Sequence, residues 1–120
     1  MIILDALTVN TDRHFGNFGI LVNSTTLEPV SPAPLFDFNL SCMPYVMEQD
    51  DYWDYYKKNC EPKLGKDFVT IAQGVLTPKL RTELINLKNF DYEDPGFGFP
   101  KWRLDMLNDI KDQQIKDILA

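Results

Sequence analysis

The sequence predicts a mainly α-helical fold with one small β-hairpin. Apolar side chains in the last third recur at helical spacing, at Leu104, Leu107, Ile110, Ile115 and Ile118. Capping residues mark two further helix starts, at Asp67 and at Thr77, which is followed by Pro78. A single pair of short apolar runs flanks a polar turn, so the predicted sheet has only two strands.

The first half of the chain supplies the hairpin and one short helix. Residues 2–9 predict a helix that is buried on one broad face. Residues 18–22 and 27–30 predict the two strands, and residues 23–26 the turn between them. Residues 42–66 show no sustained period, so they predict a long loop with no more than one helical turn.

The second half predicts three helices. The helix capped by Asp67 is expected to bury Phe68, Ile71, Ala72, Val75 and Leu76. The helix that starts at Thr77 is expected to turn Leu80, Leu84 and Leu87 inward. A loop rich in proline and glycine, whose Gly96-Phe97-Gly98 is interpreted as a turn, precedes the last helix.

Length and charge limit the classes of function. A chain of 120 residues suits one domain, residues 1–120, and its 44% hydrophobic content excludes a wholly disordered chain. The formal charge of −6 and the absence of a basic cluster make direct contact with nucleic acid unexpected. Residues 1–56 hold eight acids and one base, Arg13, for a charge of −7, whereas residues 57–120 sum to +1. An acidic half of this kind either stays solvated or recruits cations.

The cysteine content and the N-terminal residues of the sequence predict the cellular compartment. Cys42 and Cys60 are too few for a disulfide framework and form no C-x-x-C pair, so a reduced, cytoplasmic chain is expected. The first residues have no basic region, and Asp5 interrupts an apolar run too short to span a bilayer. Neither export nor a membrane anchor is predicted.

One dense polar segment, residues 10–17, lies between the first helix and the first strand. Asp37 follows it at the end of a segment that prolines keep extended. Loops carry many functional groups, but turns also need Asn, Asp and Gly, so spacing alone leaves an ordinary turn as an alternative.

The kinds of ligand side chain in the sequence limit which metal ions this segment can bind. His14 is the only histidine, which excludes two-histidine zinc and iron sites within one chain. A cysteine–histidine nucleophilic pair has no local support in the sequence. The remaining oxygen-rich set, Asp12, Asn17 and Asp37, has hard ligands of the kind that Mg²⁺ prefers.

These residues resemble a known family. Residues 10–19 (NTDRHFGNFG) and 34–41 (PLFDFNLS) are similar to the catalytic and metal-binding loops of HipA-like serine/threonine kinases. The D-R-H-x-x-N form also resembles the phosphoinositide 3-kinase branch of the protein-kinase-like fold. The resemblance covers residues 4–41, and the helical remainder fits the C-terminal lobe of that fold by class.

The resemblance implies a role for each polar residue. Asp12 would be the catalytic base that accepts the proton of a substrate hydroxyl. Asn17 and Asp37 would hold Mg²⁺, and His14 would join them among the residues that bind the cofactor. The alternative for Asp37 is a carboxylate that caps a turn.

Other residues of the segment are expected to support it. His14 and Asn10 are expected to brace the loop through hydrogen bonds. Arg13 is expected to pair with a carboxylate or to reach a phosphate, and Gly16 to permit a backbone turn beside Asn17.

The resemblance further implies a divided enzyme. A Gly-rich cover and a strand lysine would precede the catalytic loop, yet the eleven residues before Asp12 hold no lysine or arginine. The expected function is therefore that of a kinase C-terminal lobe or fragment, inactive alone, that transfers phosphate to a protein Ser/Thr hydroxyl. Mg²⁺ and ATP are expected only with a complementing N-terminal-lobe chain, and the oligomeric state is left open.

One alternative to the kinase lobe is that the chain is a non-catalytic helical protein-interaction domain that retains kinase motifs as structure.

Residues 50–56 form an acidic aromatic run. It is expected to be a solvated loop whose rings cover the core, and the alternative is that it receives a basic substrate.

Overall fold

The computed structural model describes residues 1–120 and contains five helices and a two-stranded antiparallel sheet. In chain order the elements are α1 Ile2–Thr8, β1 Ile20–Val22, β2 Pro29–Pro32, α2 Tyr52–Asn59, α3 Phe68–Gly74, α4 Pro78–Leu87 and α5 Lys101–Leu119. The fold is thus mainly α-helical with one hairpin, as the sequence predicts. No helix is both long enough and apolar enough to cross a membrane.

Helix α5 is the element against which α1, α3 and α4 all pack. Its buried apolar side chains are Met106, Ile110, Ile115 and Ile118. Their spacing of three to five residues places them on one face, so the predicted amphipathic helix is confirmed. They belong to a single core cluster whose other members are Ala6, Leu7, Val9, Met43, Val46, Cys60, Phe68, Ala72 and Leu84.

A side chain of α5 also closes the end of α1. The Gln114 Nε2 donates a hydrogen bond of 2.9 Å to the backbone oxygen of Ala6, and both residues are buried. The last carbonyls of a helix lack partners within the helix, so a buried helix end needs such a donor. The contact ties the first helix to the last.

Helix α1 ends one residue before the predicted boundary. Val9 adopts the left-handed conformation, with φ 52° and ψ 52°, and is almost fully buried. β-branched residues rarely adopt this conformation, so the packing around Val9 must hold the residue in it. The turn directs the chain from the helix into the polar segment that follows.

The hairpin is confirmed, but its second strand lies two residues later than predicted. The Asn23 side chain accepts hydrogen bonds from the backbone nitrogens of Thr25 and Thr26, at 2.8 and 3.0 Å. The Asn23 backbone nitrogen donates to the Glu28 oxygen, which extends the turn to that residue. Every residue of both strands is exposed.

The prediction of a loop with no more than one helical turn over residues 42–66 is wrong for its middle part. Helix α2 spans eight residues there, and the Asp51 carboxylate caps it by accepting from the Trp53 and Asp54 nitrogens. The aromatic rings of the helix do cover the core, as expected: they are half-buried and pack against the core cluster, at Tyr52, Trp53, Tyr55 and Tyr56. Tyr52, Tyr55 and Tyr56 lie at helical spacing, i, i+3 and i+4, but the helix has only eight residues, and so short a stretch is difficult to tell from a loop by its pattern.

The predicted caps of α3 and α4 are confirmed. Asp67 accepts from the Thr70 nitrogen at 2.8 Å, and the Thr77 hydroxyl accepts from the Leu80 nitrogen at 3.2 Å. The packing predictions hold only in part. Of the three leucines predicted to face inward from α4, Leu84 is buried, Leu80 is half-buried and Leu87 is exposed. In α3, Phe68 and Ala72 are buried and Ile71 is half-buried, whereas the helix ends at Gly74, before Val75, which is exposed, and Leu76, which is half-buried.

Tyr52 gives a test of how α2 is held on α5. Its hydroxyl donates to the Asp109 carboxylate at 2.5 Å, and this bond is the main cause that raises the pKa of Tyr52 to about 12, with burial as the second. The unfolded chain loses this proton near pH 10, whereas the folded chain keeps it until about pH 12. The stability that the bond contributes is therefore lost as the pH rises through this window.

We expect Tyr52→Phe to be less stable than the wild type at pH 8.5 and to lose less stability between pH 8.5 and 11. Urea unfolding at the two pH values measures both effects. Tyr45→Phe is the control, because Tyr45 is exposed and its hydroxyl has no hydrogen-bond partner. An equal loss with pH in the wild type and Tyr52→Phe would contradict the assignment.

Candidate functional site

A buried ion pair between Asp5 of α1 and Arg13 anchors the polar segment. The Arg13 Nε lies 3.0 Å from Asp5 Oδ2, and its Nη2 lies 3.0 Å from Asp5 Oδ1. The two side chains are only 4% and 3% exposed. In a bidentate ion pair of this kind, the electrostatic attraction and the directional hydrogen bonds together offset the loss of hydration of the two side chains.

The remaining nitrogen of Arg13 joins the two segments that resemble kinase loops. Its Nη1 donates to the backbone oxygen of Asn17 at 2.5 Å and to that of Phe36 at 2.8 Å. The guanidinium also lies over the Phe38 ring, 4.8 Å from its centre. A single cation thus holds the backbone beside Asn17 and the backbone directly before Asp37. The expectation that Arg13 pairs with a carboxylate is confirmed.

Asn10 links Asp5 of α1 to the backbone of Asp12 through two hydrogen bonds. This fully buried residue donates from Nδ2 to Asp5 Oδ1 at 2.9 Å. Its Oδ1 accepts from the Asp12 backbone nitrogen at 3.1 Å. Both ends of the amide are therefore used, and the predicted bracing role of Asn10 is confirmed.

Asn17 is buried and holds Asp12 from the other side. Its Nδ2 donates to the Asp12 backbone oxygen at 2.7 Å, and its own nitrogen donates to the His14 oxygen at 2.9 Å. No protein group donates to its side-chain oxygen, Oδ1. That oxygen remains free to bind a cation.

The carboxylate of Asp12 is the partly exposed group at the centre of this framework, with 24% of its side chain accessible. Lys63, from the segment between α2 and α3, forms an ion pair with its Oδ1. The hydrogen bond from Lys63 lowers the pKa of Asp12 below its usual value, while partial desolvation acts in the opposite sense. Asp12 is thus held as the anion that a proton acceptor must be.

His14 braces the loop, and Gly16 makes room for it. The His14 Nδ1 accepts from the Gly16 nitrogen at 3.0 Å. A Cβ at Gly16 would lie 2.9 Å from the His14 Cε1. Gly16 lies in the turn beside Asn17 that the sequence predicts, closed by the bond from the Asn17 nitrogen to the His14 oxygen. Its φ is not positive, however, and a side chain here would instead have to displace the imidazole ring.

Asp37 occupies an unusual backbone position. Its φ of 58° lies in the left-handed region, which aspartate tolerates better than most residues. The side chain is half-buried, and its carboxylate accepts no hydrogen bond from the protein. It therefore does not cap a turn, the alternative that the sequence leaves open for this residue.

The donor set around Arg13 is suited to a hard cation. Asn17 Oδ1 and the Asp37 carboxylate are both oxygen ligands without internal donors. No three His, Cys, Asp or Glu side chains are arranged to hold a metal ion. A cation here would take most of its ligands from water or from a bound molecule, as Mg²⁺ commonly does.

Two residues of the site were missed by the sequence reasoning. In the sequence Asp5 interrupts an apolar run, and the signal it carries is that a carboxylate on the buried face of a helix needs a cationic partner. Lys63 gave no local signal, because it lies 51 residues from Asp12.

Comparisons of this chain with protein-family models, with curated proteins and with solved structures found no match.

The Asp5–Arg13 pair yields a stability prediction. Asp5→Asn keeps the shape of the side chain but leaves the buried guanidinium without its counter-charge, and we expect a loss of about 3–5 kcal/mol in the free energy of unfolding. Urea denaturation followed by circular dichroism measures it. Asp105→Asn is the matched control, since its pair with Lys101 is exposed and should contribute less than about 1 kcal/mol. Equal losses in the two variants would refute the anchoring role.

Proposed function

We propose that this chain is the C-terminal lobe of a HipA-like kinase and carries its catalytic and magnesium-binding loops. The observation that carries the proposal is the double contact of Arg13, whose Nη1 binds the backbone oxygens of Asn17 and Phe36. The two segments selected by the resemblance are separate in sequence and are joined by one buried cation. An ordinary turn at residues 10–17 gives no reason for a contact with the segment of Asp37.

In this proposal Asp12 accepts the proton of a protein Ser/Thr hydroxyl as the hydroxyl attacks the terminal phosphate of ATP. Its backbone is held at the nitrogen by Asn10 and at the oxygen by Asn17, while the carboxylate stays partly exposed. Catalysis of phosphoryl transfer depends largely on such positioning.

Asn17 Oδ1 and the Asp37 carboxylate are the groups that would hold Mg²⁺. The bound cation would neutralise negative charge on the phosphates. The free lone pairs of both side chains, in a segment whose other polar groups are mostly paired, support this assignment. His14 acts by bracing the loop through Gly16, so its part in cofactor binding is indirect.

A complementing chain is part of the proposal. Arg13 is the only basic residue in residues 1–56, and it is already paired with Asp5. ATP would therefore need cations from elsewhere, and in the family that this chain resembles a Gly-rich loop and a strand lysine serve this purpose. A coding sequence immediately upstream with these two features would favour a split or truncated kinase.

A second candidate function is a non-catalytic protein-interaction domain. It is favoured by the apolar side chains that the chain exposes, including Phe15 at 83% and Phe97 at 84%, and by the exposed hairpin. Exposed apolar surface is typical of sites that bind other proteins. The same surface would also suit the docking of another lobe, so cation binding separates the two functions better.

The magnesium site is testable on the isolated chain. We expect Mn²⁺, a paramagnetic substitute for Mg²⁺, to broaden the amide NMR signals near Asn17 and Asp37 selectively, because both side chains offer oxygens to which no protein group donates. We expect Asp37→Ala to abolish this selectivity. Glu28→Ala is the control, since Glu28 is an exposed acid in the hairpin turn. Broadening spread over all acidic residues, or unchanged in Asp37→Ala, would contradict the site.

The catalytic assignment is tested once a chain with the Gly-rich loop and strand lysine is paired with this one. Asp12→Asn should then reduce phosphate transfer to a protein substrate by about 100-fold or more. Its thermal melting should show that it still folds. Transfer at the wild-type rate would remove Asp12 from the reaction.

A further inference from the structure

We propose that Lys63 is a phosphate-binding residue of this site, reaching it from a distant part of the chain. The inference rests on the proposed function, because it concerns a phosphate held at the cation bound by Asn17 and Asp37. It adds a group that lies outside residues 4–41, which carry the family resemblance.

The distribution of charge is the first argument. A site for phosphate needs positive charge, yet Arg13 is the only base in the first 56 residues. Arg13 is only 2% exposed, and its Nε, Nη1 and Nη2 all donate to protein oxygens. It has no face left for a ligand. The cation that contacts the site surface is Lys63, from the half of the chain with the balanced charge.

The chemistry of the ammonium group is the second argument. The Lys63 Nζ carries three protons, and the Asp12 carboxylate is its only partner in the protein. The side chain is 53% exposed. Two protons are thus available for phosphate oxygens while the third remains with Asp12.

The backbone around Lys63 is the third argument, because it is held in place on both sides. Before it, Cys60 is buried and its nitrogen donates to the Tyr56 oxygen at 3.1 Å. After it, Gly65 has φ 150°, and a Cβ there would lie 2.2 Å from the Ile71 Cγ2. The backbone that carries Lys63 is therefore anchored to α2 on one side and to α3 on the other, and its side chain extends from this anchored segment to Asp12.

A surface ion pair without function is the competing explanation. Exposed ion pairs contribute little to stability, and many serve no purpose. The two explanations differ in what happens when phosphate is added, and a titration distinguishes them.

The test uses the full chain, Mg²⁺ and inorganic triphosphate, with binding followed by the amide NMR signals of Asn17 and Asp37. We expect Lys63→Gln to weaken the apparent affinity about tenfold, the scale of one exposed charge-assisted hydrogen bond. Lys63→Arg keeps the charge and should stay within about twofold of the wild type. Lys66→Gln, which removes a nearby exposed lysine, is the matched control and should also stay within about twofold.

Each outcome decides the proposal. Equal weakening in Lys63→Gln and Lys66→Gln would show a general effect of charge and overturn it, as would unchanged binding in Lys63→Gln. Tighter binding in Lys63→Gln would make Lys63 an obstruction and also overturn it. If Mg²⁺ alone gives no response at Asn17 and Asp37 in the wild type, the proposed function fails together with the inference. If Mg²⁺ gives a response and triphosphate adds nothing to it, only the inference fails.

Discussion

The ion pair between Asp5 and Arg13 is the interaction on which the polar loops depend. Asp5 extends from a helix that is packed into the core, so its carboxylate is as fixed as the helix itself. Arg13 takes its orientation from that carboxylate and then binds two backbone oxygens from different segments. Since a buried guanidinium without a counter-charge is strongly unfavourable, the pair and the loop conformation form together or not at all. The geometry around Asp12 is thus a consequence of core packing.

The two basic residues of the candidate site have different roles: Arg13 is structural, and Lys63 lies at the surface. Arg13 is planar and offers donors in a fixed fork, which suits it to hold several oxygens at once inside the protein. Lys63 is flexible and half-exposed, which suits it to a partner that comes and goes. The acidic first half of the chain therefore uses its own cation for architecture and relies on the second half for charge at the surface.

Local features of this fold are predictable from the sequence, and long-range ones are not. The caps at Asp67 and Thr77 depend on neighbouring residues only, and the amphipathic face of α5 depends on a repeated spacing, so both are visible in the pattern. Helix α2 is difficult to predict because its aromatic residues, although at helical spacing, extend over only about two turns within a long segment that has no other period. The segment around Asp12 stood out by its polarity. The pairing of Arg13 with Asp5 and of Lys63 with Asp12 depends on tertiary packing, about which spacing is silent.

The hydrogen bond from Gln114 to Ala6 has a consequence for the order in which the fold forms. It joins residues 108 positions apart, and α1 packs against α3 and α5 alike. The helix that carries Asp5 therefore reaches its buried place only when distant parts of the chain have come together, and contacts of such long sequence separation form slowly. The polar loops that depend on Asp5 and Arg13 accordingly take their shape late in folding, after the core helices have assembled.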